Sequence, residues 1–133
     1  MMSKKEFYQS VNETGGLVYP NGKLPSPISL FGIECDDGWL ELIAELIQAL
    51  VATGWTREIL QIKEKYGGLC FYANGLPENG HEIIERFENR SYEICERCGS
   101  TDKVKLREDN WIKTLCDQCA VPWLERQNQI RLG

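Results

Sequence analysis

Four of the six cysteines fall into two pairs, "CERC" at Cys95 and Cys98 and "CDQC" at Cys116 and Cys119, with seventeen residues between the pairs. That spacing is the one read as a zinc site. Zinc takes four soft ligands at tetrahedral corners about 2.3 Å away, and two intervening residues let one tight turn aim both sulfurs at the same ion. A redox dithiol also uses C-x-x-C, but it needs a neighbouring βαβ unit and has no use for a second pair at metal spacing. A site made of four cysteines is closed, whereas a catalytic zinc keeps a position open for water or substrate. One Zn2+ held by these residues is therefore expected to be structural.

The elements around the pairs fit that role. Gly99 directly after Cys98 suits a knuckle that turns through positive φ. "KVKLRE" and "WIKTL" flank Asp109-Asn110, a turn-forming pair, which predicts a short hairpin. "CDQCAVPWLERQNQIRL" then predicts a helix that begins with the second cysteine pair, with Pro122 in its first turn and Trp123, Leu124 and Ile130 available for packing. Knuckle, hairpin and cysteine-bearing helix is the order of a treble-clef zinc finger.

Upstream, Ser3 to Asn12 predicts a helix burying Phe7 and Val11, stopped by Gly15-Gly16. Residues 15–35 read as a proline-containing arm, with three prolines and two glycines in "YPNGKLPSPISLFG" and too many apolar residues for a disordered tail. "DDGWLELIAELIQALVATG" predicts an amphipathic helix, capped by Asp36 or Asp37 and ended by Gly54, with Trp39, Leu40, Ile43, Leu46, Ile47, Leu50 and Val51 on its buried stripe. "EILQIKEKYGGLCFYANG" alternates as a β-hairpin, placing Leu60 and Ile62 on one face and putting Gly67-Gly68 at the turn. Asn79 with Glu82 reads as a helix start, and Ile83, Ile84, Phe87, Tyr92 and Ile94 follow. The fold expected is α+β, with helices packed on the hairpin and a C-terminal treble-clef-like four-cysteine finger. Residues 1–90 form the helix and hairpin part and residues 91–133 the finger, the two packed as one compact body.

Charge and composition narrow the function. Of the net charge of −5, residues 1–90 carry all, with eight Lys/Arg against thirteen Asp/Glu, while residues 91–133 carry seven of each. Neither part has the basic excess of a nucleic-acid binder. The chain has no apolar run of the roughly 20 residues that span a bilayer, and "MMSKKEFYQS" has no secretory apolar segment, so a cytoplasmic protein with reduced cysteines is expected. Cys70 reads as a buried small hydrophobe, and Cys35 carries no assigned role. His81, the lone histidine, reads as a surface residue at a helix start, and Glu82, Glu85 and Glu88 as a solvated helix face. No nucleophile in a recognisable setting and no phosphate-cradling loop accompanies them, so no catalysis is expected.

Two resemblances extend this reading. The cysteine spacing is similar to that of GATA-type fingers, which implies DNA contact through a basic surface; Lys103, Lys105, Arg107 and Lys113 are the candidates for such contacts. Over residues 37–119, "GWLELI", "QIKEKYGGLCFYANG", "SYEICERCG" and "WIKTLCDQC" resemble a family of small uncharacterised phage and prophage proteins, with a K-E-K-[FY]-G-G-L-x-F-Y hairpin and a zinc-binding C-terminal segment. Here Cys70 stands where that pattern often has arginine, and Cys119 where histidine is frequent. The resemblance implies a metal-bearing one-domain protein of phage type. The function expected is non-catalytic binding to a protein partner, such as a host factor, with a nucleic-acid-binding regulator as the alternative.

Overall fold

The computed structural model describes residues 1–18 and 32–132. Most of the 15–35 arm, residues 19–31, lies outside the described residues. The described chain runs α1 (Lys4–Glu13), a 3-10 turn (Asp37–Trp39), α2 (Leu40–Ala52), β1 (Ile59–Lys65), β2 (Gly68–Ala73), α3 (Gly80–Ser91), β3 (Val104–Glu108), β4 (Ile112–Cys116) and α4 (Asp117–Leu132). It is an α+β arrangement of four helices and two antiparallel two-stranded sheets, β1-β2 and β3-β4.

Ser3 starts α1 with a full capping box: its hydroxyl accepts the Glu6 amide, and Glu6 accepts the Ser3 amide in return. Two of the helix's unpaired N-terminal donors are satisfied in this way. Phe7 and Val11 are buried. The stripe of α2 is buried as its periodicity predicts, except that Val51 is only half-buried and Leu42 joins the core. The aspartates do not cap α2. Asp36 precedes the 3-10 turn with no side-chain cap bond, and regular helix begins only at Leu40.

The first hairpin forms with two corrections. Its turn residues are Tyr66 (φ 52°) and Gly67 (φ 85°), because Gly68 already pairs with Lys65; positive φ at both central positions is the twist-matched hairpin geometry. The register also shifts between Ile59 and Gln61. That irregularity turns Leu60 outward, while Ile59 and Ile62, rather than Leu60 and Ile62, enter the core. A bulge breaks strict alternation in this way.

α3 lies against β2 and closes its free edge. The Leu69 amide donates to Ser91 Oγ at 3.0 Å and the Phe71 amide to Glu88 Oε2 at 2.9 Å, so two ladder donors that would otherwise face solvent are satisfied. Glu88 is thus not part of a solvated face, and burial holds its carboxyl above the usual range despite the Phe71 amide. The expected Asn79 cap makes no side-chain bond. Tyr92 is exposed and Ile94 half-buried. α1, α2, α3 and the first hairpin share one buried cluster around Phe7, Trp39, Leu46, Ile59, Ile62 and Phe71.

The second hairpin and α4 have a smaller core of Cys95, Leu115, Cys116, Ala120 and Trp123. α4 begins at Asp117, within the second cysteine pair, so Pro122 falls in its second turn rather than its first and cannot donate to the Gln118 carbonyl. Leu124 and Ile130 are exposed, and Gln127 is buried beside Trp123 instead.

Candidate metal centre

Three elements converge on the four cysteines. Cys95 and Cys98 sit on the turn after α3, Cys116 ends β4, and Cys119 lies in the first turn of α4. The turn is closed by Gly99 N donating to Cys95 O at 2.9 Å and Cys95 N to Ser100 O at 2.8 Å. Gly99 takes φ 81° there, a conformation glycine adopts without a Cβ penalty.

All four sulfurs lie within 4.8 Å of one another, and Cys98 Sγ is 3.7 Å from Cys116 Sγ. Tetrahedral bonds of about 2.3 Å place sulfurs about 3.8 Å apart. The residues therefore fit a metal ion, with four sulfur donors and no open position. Cys95 and Cys116 are buried, Cys119 half-buried and Cys98 exposed. As free thiols, Cys116 and Cys119 are pushed in opposite directions. Burial pushes Cys116 up, but the Cys119 amide and the thiols of Cys119, Cys98 and Cys95 outweigh it and bring Cys116 down to about 7. Burial and the same neighbours push Cys119 far up. A bound cation removes this conflict, since a coordinating thiol is deprotonated outright.

The knuckle is joined to the rest of the fold by polar bonds. Gly38 N donates to Glu96 O at 2.7 Å, Trp39 Nε1 to Ile94 O at 2.8 Å, and Glu96 N to Thr114 O at 3.0 Å. Glu96 itself, between the first two ligands, is fully buried. Its Oε2 accepts the Asp36 amide at 3.0 Å and its Oε1 pairs with Lys113 Nζ at 3.0 Å. Lys113 also stands 3.9 Å from Glu64. Nothing in the composition of "CERC" marks its glutamate as buried; only the three-dimensional meeting with Lys113 does.

The four candidate nucleic-acid cations are spread over different tasks. Lys113 serves Glu96 and Glu64, and Arg107 pairs with Asp117 at 2.7 Å and donates to Leu115 O. Lys103 and Lys105 stay on the surface. Cys35 is buried, its thiol pushed up to about 12 by desolvation and the Glu96 charge. Cys70 is half-buried rather than buried, because its strand position faces away from the core side taken by Leu69 and Phe71. His81 is exposed at the start of α3. None of these three joins the four-sulfur cluster.

These features define a class: an α+β chain with a cluster of four cysteines whose geometry fits a metal ion. Comparison with protein-family models, curated proteins and solved structures finds no match for the chain. No helix among the described residues is long and apolar enough to cross a membrane.

Proposed function

We propose that this chain is a zinc-stabilised, non-catalytic binding protein that acts in the cytoplasm through contact with another protein. The closed four-sulfur cluster carries the reading. Four cysteines at tetrahedral separation favour zinc over the oxygen-seeking cations and leave no position at which a substrate or water could be activated. All six cysteines are unpaired, consistent with a reducing compartment. The knuckle motif spans the junction between the two parts, so the metal acts on the whole fold.

Exposed aromatics support a protein partner. Tyr66 and Trp111, at the tips of the two hairpins, are 71% and 65% exposed, and such residues are enriched at protein interfaces. The hairpin's likeness to phage and prophage proteins suggests a host factor as that partner. A nucleic-acid regulator has less support, since Arg107 and Lys113 are engaged with carboxylates and each phosphate contact needs a cation.

Crosslinking of tagged protein in a host lysate, followed by mass spectrometry, is expected to recover a specific protein. Mobility shift on mixed DNA and RNA at low salt is expected to show no complex at micromolar protein. A salt-sensitive complex there would replace the protein partner with nucleic acid.

A further inference from the structure

A cleft of 570 Å³ opens between α4, the knuckle and the 3-10 turn. Trp111, Trp123 and Ile130 contribute to its apolar lining, and Arg97 and Arg126 line it as well. Both arginines are exposed, and neither forms an ion pair among the described residues. Gln127 lines the cleft as well; it is 2% exposed, and its Oε1 has no hydrogen-bond partner. A buried acceptor left in this state is destabilising until a donor arrives.

Trp111 is held in place despite its exposure. Asp109 N donates to Trp111 O at 2.9 Å across the hairpin turn. Asp109 forms a two-point pair with Arg131 of α4, at 2.8 and 3.3 Å, and Asn110 Nδ2 donates to Gln127 O at 3.3 Å. An exposed tryptophan on a turn pinned at two points is pre-organised, and little ordering entropy is lost when a ligand covers it. Trp111 and Lys113 also wall a second groove that runs to Lys63, Lys65 and Tyr66, so the aromatic and cationic surface is continuous past the hairpin tips.

We propose that this cleft is the docking site for an acidic peptide segment of a partner protein, a proposal that rests on the protein-binding function above and names its partner's chemistry. Carboxylates of the segment meet Arg97 and Arg126, an apolar or aromatic side chain packs on Trp111 and Trp123, and a peptide N–H donates to Gln127 Oε1. Charge complementarity selects the occupant: two exposed arginines without an ion pair among the described residues line the same cleft as Trp111 and Trp123, an arrangement that attracts a ligand both acidic and apolar. A polyphosphate strand fits less well. Asp36, exposed, and Asp37, paired with Lys4, line the same cleft and repel closely spaced phosphates, whereas a peptide can direct its few carboxylates to the arginines.

The test uses the metal-loaded protein against a display library of random peptides. Enriched peptides are expected to carry Asp or Glu next to Trp, Phe or Leu. A synthetic peptide of the enriched sequence is expected to lose about tenfold or more in affinity on Trp111→Ala and again on Arg126→Glu, the effect of removing a hot-spot anchor. Both residues are exposed, so unchanged circular dichroism and metal content serve as the folding check, and Arg97→Glu provides a second, independent loss. No enrichment, enrichment of basic peptides, unchanged affinity in the three variants, or tighter binding of oligo(dT) than of the peptide would each overturn the proposal. If the partner crosslinked from lysate is still captured by Trp111→Ala with Arg126→Glu, the cleft assignment fails while the protein-binding function stands.

Discussion

The amide of Gly38 donates to the carbonyl of Glu96 across 2.7 Å, joining the first turn of the N-terminal helical layer to the loop between Cys95 and Cys98. A Cβ at Gly38 would collide with the carbonyl oxygens of both Cys95 and Glu96. The contact is backbone on backbone, so neither side can rotate away. The knuckle is thereby fixed against the edge of the main core at Trp39, whose indole donates to Ile94 O just before it.

Zinc removal is expected to loosen both halves. Purified without chelator, the protein should carry about one equivalent of zinc, and a cadmium-exchanged form should show sulfur-to-metal charge transfer in the ultraviolet. Structural zinc contributes about 10–16 kcal/mol of apparent binding energy in small fingers, so chelation should lower the melting temperature sharply. Serine at Cys95, Cys98, Cys116 or Cys119 should abolish stoichiometric metal, while Cys35→Ser and Cys70→Ser should retain it. Less than about half an equivalent in the unmodified protein would count against the site.

Gly38→Ala tests the knuckle-to-helix contact. The clash is with backbone, and relief requires the knuckle to shift, so a loss of about 2–4 kcal/mol is expected. Urea denaturation of the metal-loaded protein measures it; Gly54→Ala, whose Cβ position is open, separates contact from glycine entropy. Its own φ of +104° carries a backbone penalty of about 1–2 kcal/mol, so a Gly38→Ala effect no larger than that would remove the clash argument.

Lys113→Met leaves Glu96 buried without its cation. Breaking a buried pair from one side costs about 3–5 kcal/mol. Adding Glu96→Gln to Lys113→Met should recover a large part of the loss, because no charge remains buried. The Glu96 and Glu64 charges outweigh desolvation and hold the Lys113 ammonium above its ordinary value of 10.5. A raised basic group stabilises the fold fully below its unfolded pKa and loses that contribution as pH passes its folded one. The pair should therefore persist through neutral pH and weaken above 10.5 as Lys113 loses its proton; on the acid side it weakens as Glu96, whose carboxyl burial holds above 4.5, takes one up, as denaturation midpoints of wild type and double variant against pH would show.

Glu88 acts with the same sign at a lower pH. Desolvation, with the Glu85 charge, raises its carboxyl above 4.5 in the fold, so the folded state binds a proton more readily than the unfolded chain. Stability from this group is greatest in acid and falls as pH rises through the window just above 4.5. Glu88→Gln keeps an acceptor for the Phe71 amide and should flatten that part of the profile. An unchanged slope of midpoint against pH would show that Glu88 is not the group responsible.

The sequence shows best what depends on local period and spacing. The stripe from Trp39 to Leu50, the alternation of Leu69 and Phe71, and the cysteine pairs each follow from one element's geometry. Failures cluster where two elements meet. Leu60 follows a bulge that pattern counting does not register, and Gly68 is a strand residue because Tyr66 tolerates positive φ. The burial of Glu96, Glu88 and Gln127 is set by Lys113, the Phe71 amide and the β3-β4 turn, partners distant in sequence. Of the site, the meeting of the four cysteines was legible, but the cleft beside it was not, since its walls come from four separate segments.

The pair Gly67-Gly68 also takes on a second meaning from the fold. A side chain on Gly67 would run into Leu106 and Ile112 of the finger, one on Gly68 into the Tyr92 hydroxyl, and the Gly67 carbonyl accepts the Thr114 hydroxyl at 2.6 Å. The tip of one sheet is thus the socket of the other. A finger grafted from a different chain would have to bring a tip to match, so the two halves should be exchangeable in chimaeras only as a set.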